Sequence, residues 1–164
     1  MSERFEVVVL DRHHDRKAFG CGVEPLDRYF REQASQDVKR RATACYVAVE
    51  LATGKVAGYY TLAAAGVPLG ELPDELVKKL PRYPSVPVAR LGRLAVDLAF
   101  RGQKLGGALV WDAVSRAIRS EVAVAALVVD AKDDAAAAFY RHLGFESLTG
   151  DALTLVMSLT KLRG

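Results

Sequence analysis

Apolar residues recur along this chain with two periods, near two and near four, and their succession predicts a mixed α/β architecture. Residues 5–10, Phe-Glu-Val-Val-Val-Leu, form a β-type run. Residues 11–23 are polar, carry Gly20 and Gly22, and read as a loop. Pro25 suits a first helical position. Leu26, Phe30, Ala34 and Val38 then recur every fourth residue with Tyr29 alongside, opposite Asp27, Arg28, Arg31, Glu32, Gln36 and Lys39. That is an amphipathic helix ending near Arg41. Residues 45–51 and 56–65 flank a turn at 52–55 and pair as a hairpin. Residues 68–72 connect to a short helix over 73–80, acidic early (Asp74, Glu75) and basic late (Lys78, Lys79) as the helix dipole favours. Pro81, Pro84 and Pro87 keep the next stretch out of helix, and residues 88–98 form a long strand.

Arg101-Gly102-Gln103-Lys104-Leu105-Gly106-Gly107 then leads into a helix to about Arg119. Its apolar stripe is Leu105, Leu109, Ala113 and Ala117, flanked by Val110, Val114 and Ile118. Residues 125–129 are a short all-apolar strand of the buried, central kind. Asp133 and Asp134 open a helix over 135–143, which Gly144 caps, and residues 153–159 are a last strand.

A length of 164 residues suits one domain, spanning residues 1–164, with its own core. No run approaches the roughly 18 apolar residues of a membrane span, and the start lacks an apolar signal core, so a cytoplasmic protein without membrane association is expected. Cys21 and Cys45 form no CxxC pair, and two buried or half-buried free thiols are expected rather than a metal or redox site. The net charge is +3, with basic residues gathered at Lys39-Arg40-Arg41, at Lys78-Lys79 with Arg82, and at Arg90 and Arg93. A solvated surface and a polyanionic partner both fit that pattern.

The chemistry concentrates at the strand–turn–helix of residues 91–118. A helix start presents unpaired N–H groups and a positive dipole end, and neighbouring glycines let an anion approach the backbone. The turn suits a phosphate or pyrophosphate, although a tight β–α connection also uses glycine. It is neither a Walker A loop nor a Gly-x-Gly-x-x-Gly fingerprint.

Arg101-Gly102-Gln103-Lys104-Leu105-Gly106 resembles the acetyl-CoA turn of the GNAT acyltransferase superfamily, Arg/Gln-x-x-Gly-x-Gly/Ala after the fourth strand, at its first and last positions. Lys104 stands at the usual fourth-position glycine; a left-handed conformation there costs lysine roughly 1–2 kcal/mol. The shifted stretch Gln103-Lys104-Leu105-Gly106-Gly107-Ala108 also fits the pattern. Ala136-Ala137-Ala138-Phe139-Tyr140-Arg141-His142-Leu143-Gly144-Phe145 resembles the family's second motif, A-x-x-F-Y-x-x-x-G-F. The resemblance implies a GNAT fold: a central mixed, largely antiparallel sheet flanked by helices. It implies acetyl-CoA as donor with no metal, held by the backbone of Leu94, Ala95 and Val96 and by Arg101, Gly102, Gln103, Lys104, Leu105, Gly106 and Gly107. It also implies Tyr140 as the general acid for the leaving thiolate.

Cys21 to Phe30, Gly58-Tyr59-Tyr60-Thr61-Leu62, and Val88 to Asp97 resemble, more narrowly, the GNAT toxins of type II toxin–antitoxin modules. Those enzymes acetylate the α-amine of aminoacyl-tRNA and block translation. The resemblance implies aminoacyl-tRNA as acceptor, a ribbon-helix-helix antitoxin and a homodimer. Charge chemistry agrees. The fourth strand offers Arg90, Arg93 and Asp97 but no glutamate base. An α-amine, pKa about 7.7–8.0, is partly neutral at pH 7, whereas a lysine amine near 10.4 is not, so an α-amine acceptor needs less help from a base. Arg90 and Arg93 suit tRNA phosphates, a salt bridge being the alternative for each, and strand alternation puts them on opposite faces unless a bulge intervenes. A small amine or protein N-terminus as acceptor, and a non-catalytic GNAT-like binding module, are the alternatives. His13 and His14 are expected to be exposed in the polar loop, His142 not to be catalytic, and Tyr29 and Trp111 to be packing residues.

Overall fold

The computed structural model describes residues 4–160. The strands are β1 (Phe5–Val9), β2 (Ala44–Glu50), β3 (Val56–Pro68), β4 (Ser85–Val96), β5 (Ala126–Asp130), β6 (Glu146–Leu148) and β7 (Asp151–Ser158). The helices are α1 (Glu24–Arg28), a π-helical turn (Tyr29–Gln33), α2 (Ala34–Lys39), α3 (Asp74–Val77), α4 (Leu105–Ile118) and α5 (Asp134–His142). The strand order is β1-β2-β3-β4-β5-β7-β6. β4–β5 runs parallel, whereas β1–β2, β2–β3, β5–β7 and β6–β7 run antiparallel. The fold is thus mixed α/β with a largely antiparallel sheet, as expected.

The chain forms two compact units, one from the segment up to Ala63 with Gly92–Ala113, the other from Ala64–Leu91 with the segment from Val114 onward. The first unit closes β1, β2 and the start of β3 over the helical run from Glu24 to Lys39. Its core holds Leu10, Phe19, Cys21, Tyr29, Phe30, Ala34, Cys45, Val47 and Tyr59. The Phe30 ring stacks on Tyr59 at 4.3 Å and 7°, with Phe19 edge-on to both. The Tyr59 hydroxyl donates to the Leu26 carbonyl at 2.6 Å, which satisfies its polar end inside the core. The expected single helix is interrupted by the π-turn, where Ala34 N–H reaches back to Tyr29 O. Asp27, expected on the polar face, is buried and accepts the Cys21 N–H at 2.9 Å. Gly58 of β3 faces β4 and α4 so closely that a Cβ would lie 2.9 Å from a Leu109 side-chain carbon and 3.0 Å from the Ala95 carbonyl oxygen.

The second unit packs Val67, Leu72, Leu76, Val86, Val88, Ala126, Val128, Leu148 and Val156 into a core. The β4–β5 register runs from Val88↔Ala126 to Leu91↔Val129, and Ala126 to Val129 are fully buried, as an all-apolar parallel strand requires. β4 begins earlier than expected, at Ser85, and its Pro87 carbonyl accepts from Ala125 N–H, one residue before the β4–β5 register. β6 has no counterpart in the sequence reading: three residues are too few to show a period, and pairing with β7 creates the strand. α3 spans Asp74–Val77, shorter than expected, and Lys78 pairs with Glu75 at 3.4 Å just past its end.

Candidate active site

In the first unit, β4 continues beyond its last β5 pair to Val96, and Leu94, Ala95 and Val96 lie at this end. Asp97 then stops the strand. Its carboxylate accepts from Ala99 N–H and from Gly20 N–H, both at 2.9 Å, while Leu98 N–H donates to Gly20 O at 2.9 Å. Arg101 extends its guanidinium to the Cys21 carbonyl at 2.8 Å. The loop before α1 is therefore fastened to the start of the turn, and Asp97 is spent as a cap rather than left free as a base.

The turn itself has two left-handed residues, Gly102 (φ 76°) and Lys104 (φ 62°). A Cβ on Gly102 would meet nothing within 4 Å, so only backbone conformation demands glycine there. Lys104 adopts the conformation its glycine-like position requires. Ala108 N–H donates to the Lys104 carbonyl at 3.2 Å, so Lys104 is the last residue outside α4, and the N–H groups of Leu105, Gly106 and Gly107 precede the first intrahelical donor and have no intrahelical acceptor. α4 carries no acidic residue in its first turn. Arg101, Gly102, Gln103 and Lys104 are exposed, whereas Leu105, Leu109, Val110 and Ala113 are buried and anchor the helix. An anion fits such a turn: free N–H groups, an uncompensated positive dipole end and exposed cationic side chains. Arg4 steadies its edge, bonding Gln103 and pairing with Glu50 at 2.8 Å. Thr53 and then Arg4 hold the Glu50 carboxyl below the usual range.

Arg93, also in the first unit, lays its guanidinium 3.5 Å from the Tyr29 ring centre. Arg90, in the second unit, is ion-paired with Asp130. The two arginines thus have separate surroundings, as strand alternation predicts.

In the second unit, Asp133 caps α5, its side chain accepting from Ala136 N–H at 2.8 Å, and Gly144 follows with φ 106°. Tyr140 is 6% exposed, edge-on to Phe139 and Phe145. Burial, and then the charge of Asp130, push its hydroxyl up to about 12. The hydroxyl has no hydrogen-bond partner among the described residues, yet no fully buried side-chain oxygen there lacks one, so its oxygen touches accessible space. A protonated donor, packed and unengaged, is what this geometry provides.

These features meet a sequence match: residues 10–145 fit the Acetyltransferase (GNAT) family. The chain belongs to the GNAT acetyltransferases. A "tRNA-acetylating toxin" of Mycobacterium tuberculosis is 33% identical over 91% of this chain and 89% of its own length. The structure of AtaT complexed with acetyl-methionyl-tRNAfMet superposes with a TM-score of 0.89 at 28% identity, covering 96% of each chain. That of AtaTR bound with AcCoA gives 0.83 at 27% identity, covering 98% of this chain and 97% of that one.

Several other residues of this GNAT chain can now be placed. Cys21 and Cys45 are buried, and burial raises both thiols, Cys45 to about 12. His13 and His142 are exposed, while His14 is half-buried, its Nδ1 accepting from Asp11 N–H at 3.0 Å. Tyr29 packs as expected, but Trp111 is 44% exposed, because two residues past Leu109 a helix has turned about 200° away from its apolar stripe. The sequence reading missed Asp97 as a cap and Asp27 as a loop anchor. The strand expected over residues 88–98 enclosed Asp97 and so hid the first, since β4 ends at Val96. No helix among the described residues is long and apolar enough to cross a membrane.

Proposed function

We propose that this GNAT enzyme transfers the acetyl group of acetyl-CoA to the α-amine of aminoacyl-tRNA, and so acts as a translation-blocking toxin. The observation that carries this reading is the 33% identity to a tRNA-acetylating toxin across nine-tenths of the chain. The absence of a glutamate in β4 and the engagement of Asp97 as a cap support an acceptor that reaches the enzyme already partly neutral.

Acetyl-CoA supplies an acyl thioester open to attack by an amine. Gly102, Gly106 and Gly107 leave the turn open to the pyrophosphate, which the N–H groups of Leu105, Gly106 and Gly107 receive. Arg101, Gln103 and Lys104 surround it with polar and cationic side chains. The backbone of Leu94, Ala95 and Val96 pairs with the pantetheine arm, and an N–H near Val96 stabilises the developing oxyanion. Tyr140 serves the leaving sulfur. A tyrosine near 12 is a weaker acid than an ordinary thiol near 8.5, so complete proton transfer in water would be uphill by roughly 5 kcal/mol. The Tyr140 hydroxyl therefore acts as a hydrogen-bond donor to sulfur as the C–N bond forms and the C–S bond breaks, coenzyme A leaves as the thiolate, and the proton shed by the acceptor nitrogen passes to solvent; the burial that raises the tyrosine pKa penalises the thiolate as well. Arg93 contacts the acceptor, and Arg90 does so only in exchange for its ion pair with Asp130.

The match over residues 10–145 spans both compact units, which supports reading residues 1–164 as one GNAT domain. A ribbon-helix-helix antitoxin, a homodimeric state and a cytoplasmic site of action complete the proposal. The deciding experiment mixes the protein with labelled acetyl-CoA and a pool of charged tRNAs. Label on the aminoacyl group is expected; label only on free amines or protein N-termini would overturn the acceptor assignment.

A further inference from the structure

In the catalytic scheme Arg93 is set against the acceptor, but the Tyr29 ring on which that guanidinium rests has no role. The Tyr29 ring cannot swing. Its hydroxyl donates to Asp37 Oδ2 at 2.7 Å, the other Asp37 oxygen accepts from Gln33 Nε2 at 3.0 Å, and the ring is 8% exposed within the first unit's core. The π-helical turn begins at Tyr29 and ends at Gln33, so the backbone irregularity sits where this triplet is assembled. Arg93 rests its guanidinium on that ring at 3.5 Å and makes no hydrogen bond or ion pair among the described residues.

A guanidinium has five N–H donors around its edge. Stacking occupies its face and leaves the edge free, and a fixed plane loses less entropy when it grips a planar or tetrahedral anion in bidentate fashion. Arg90, by contrast, spends its guanidinium on Asp130. Arg40 and Arg93 both act on Asp37, the carboxylate of this cluster, and the hydrogen bonds of Tyr29 and Gln33 occupy its two oxygens. Asp37 is held below the usual carboxylate range, first by Tyr29 and then by Gln33, so it is committed to positioning the ring.

We propose that Arg93 is the phosphate fork for the acceptor, gripping one backbone phosphate of the charged tRNA, and that Tyr29 is a positioning residue that fixes the fork's plane. The inference rests on the aminoacyl-tRNA reading and sharpens it, separating Arg93 from Arg90 in role.

The test is steady-state acetylation of charged tRNA over a range of salt, with both KM values measured and folding checked by thermal melts. Arg93→Lys keeps the charge and loses the planar fork. It should raise KM for charged tRNA by about tenfold, leave kcat and KM for acetyl-CoA within about twofold, and leave the salt dependence as in wild type. Arg93→Ala should in addition reduce the log–log salt slope by about 0.7–0.9, one phosphate contact. Tyr29→Leu should behave like Arg93→Lys, Tyr29→Phe, which keeps the stacking ring but loses its bond to Asp37, should fall between Tyr29→Leu and wild type, and the Tyr29→Leu, Arg93→Lys pair should be less than additive. If Tyr29→Leu does not fold, the contrast of Arg93→Lys with Arg93→Ala decides. Unchanged KM for charged tRNA in Arg93→Lys, or a rise in KM for acetyl-CoA in its place, overturns the inference and leaves the acceptor assignment standing. A wild-type protein that fails to acetylate charged tRNA overturns both.

Discussion

The turn before α4 holds two residues in the same left-handed region, one a glycine and one not, and this allows a controlled measurement of backbone strain at the donor site. Replacing Lys104 by glycine removes a left-handed cost of roughly 1–2 kcal/mol. It also frees the unfolded chain, which returns about 0.4–1 kcal/mol. The net expectation is stabilisation of up to about 1.5 kcal/mol, and since chains of this length shift Tm by about 2–4 °C per kcal/mol, a rise of up to about 6 °C. Gly102→Ala is the mirror experiment. Its new Cβ meets nothing within 4 Å, so the same conformational cost appears without a clash, and Tm should fall by a similar amount. Lys104→Ala keeps the strain and deletes only the charge, so its Tm should match wild type. Calorimetric titration with acetyl-CoA supplies the second axis: Lys104 is exposed, so loss of its charge should weaken binding by no more than about fivefold. Lower thermal stability in Lys104→Gly, with Lys104→Ala unchanged, would refute the assignment of strain to this residue.

Tyr140→Phe should fold, bind acetyl-CoA as wild type does, and turn over at least about tenfold more slowly, as measured by coenzyme A release; wild-type turnover would reduce Tyr140 to a packing ring. Gly106→Val puts a side chain in the first turn of α4 and should abolish calorimetric binding of acetyl-CoA; retained affinity would mean the turn is not the donor site. Gly58→Ala forces a Cβ to 3.0 Å from the Ala95 carbonyl oxygen, and urea unfolding should show a loss of about 1–3 kcal/mol. Stability should also decline in alkali. Cys45 and Tyr140 hold their protons to about 12 in the folded chain, against ordinary values of 9.0 and 10.0. The unfolded chain therefore releases protons first as pH rises from about 9 to 12, and folding weakens across that window. Cys45→Ala should flatten the lower part of the decline, seen as melting temperature against pH; an unchanged slope would contradict the raised thiol.

Local chemistry wrote much of this architecture directly into the chain. Leu105, Leu109, Ala113 and Ala117 recur at helical spacing, and all are buried on α4. Asp133 and Gly144 bracket α5 because a side-chain acceptor and a left-handed glycine satisfy helix ends within a few residues. The left-handed turn was legible in the same way, at Gly102 and at the lysine standing in the glycine position. What no local pattern specified were the partners. Asp97 reaches Gly20 across 77 positions, and Arg101 reaches Cys21 across 80. Packing decided that Asp27 turns inward to hold a loop and that Glu146–Leu148 becomes a strand by lying beside β7. Arg90 and Arg93 look alike in sequence, three residues apart on one strand. Tertiary structure sets one against a carboxylate and the other on an aromatic ring, because alternation along β4 sends their side chains to neighbours that the chain supplies from distant segments.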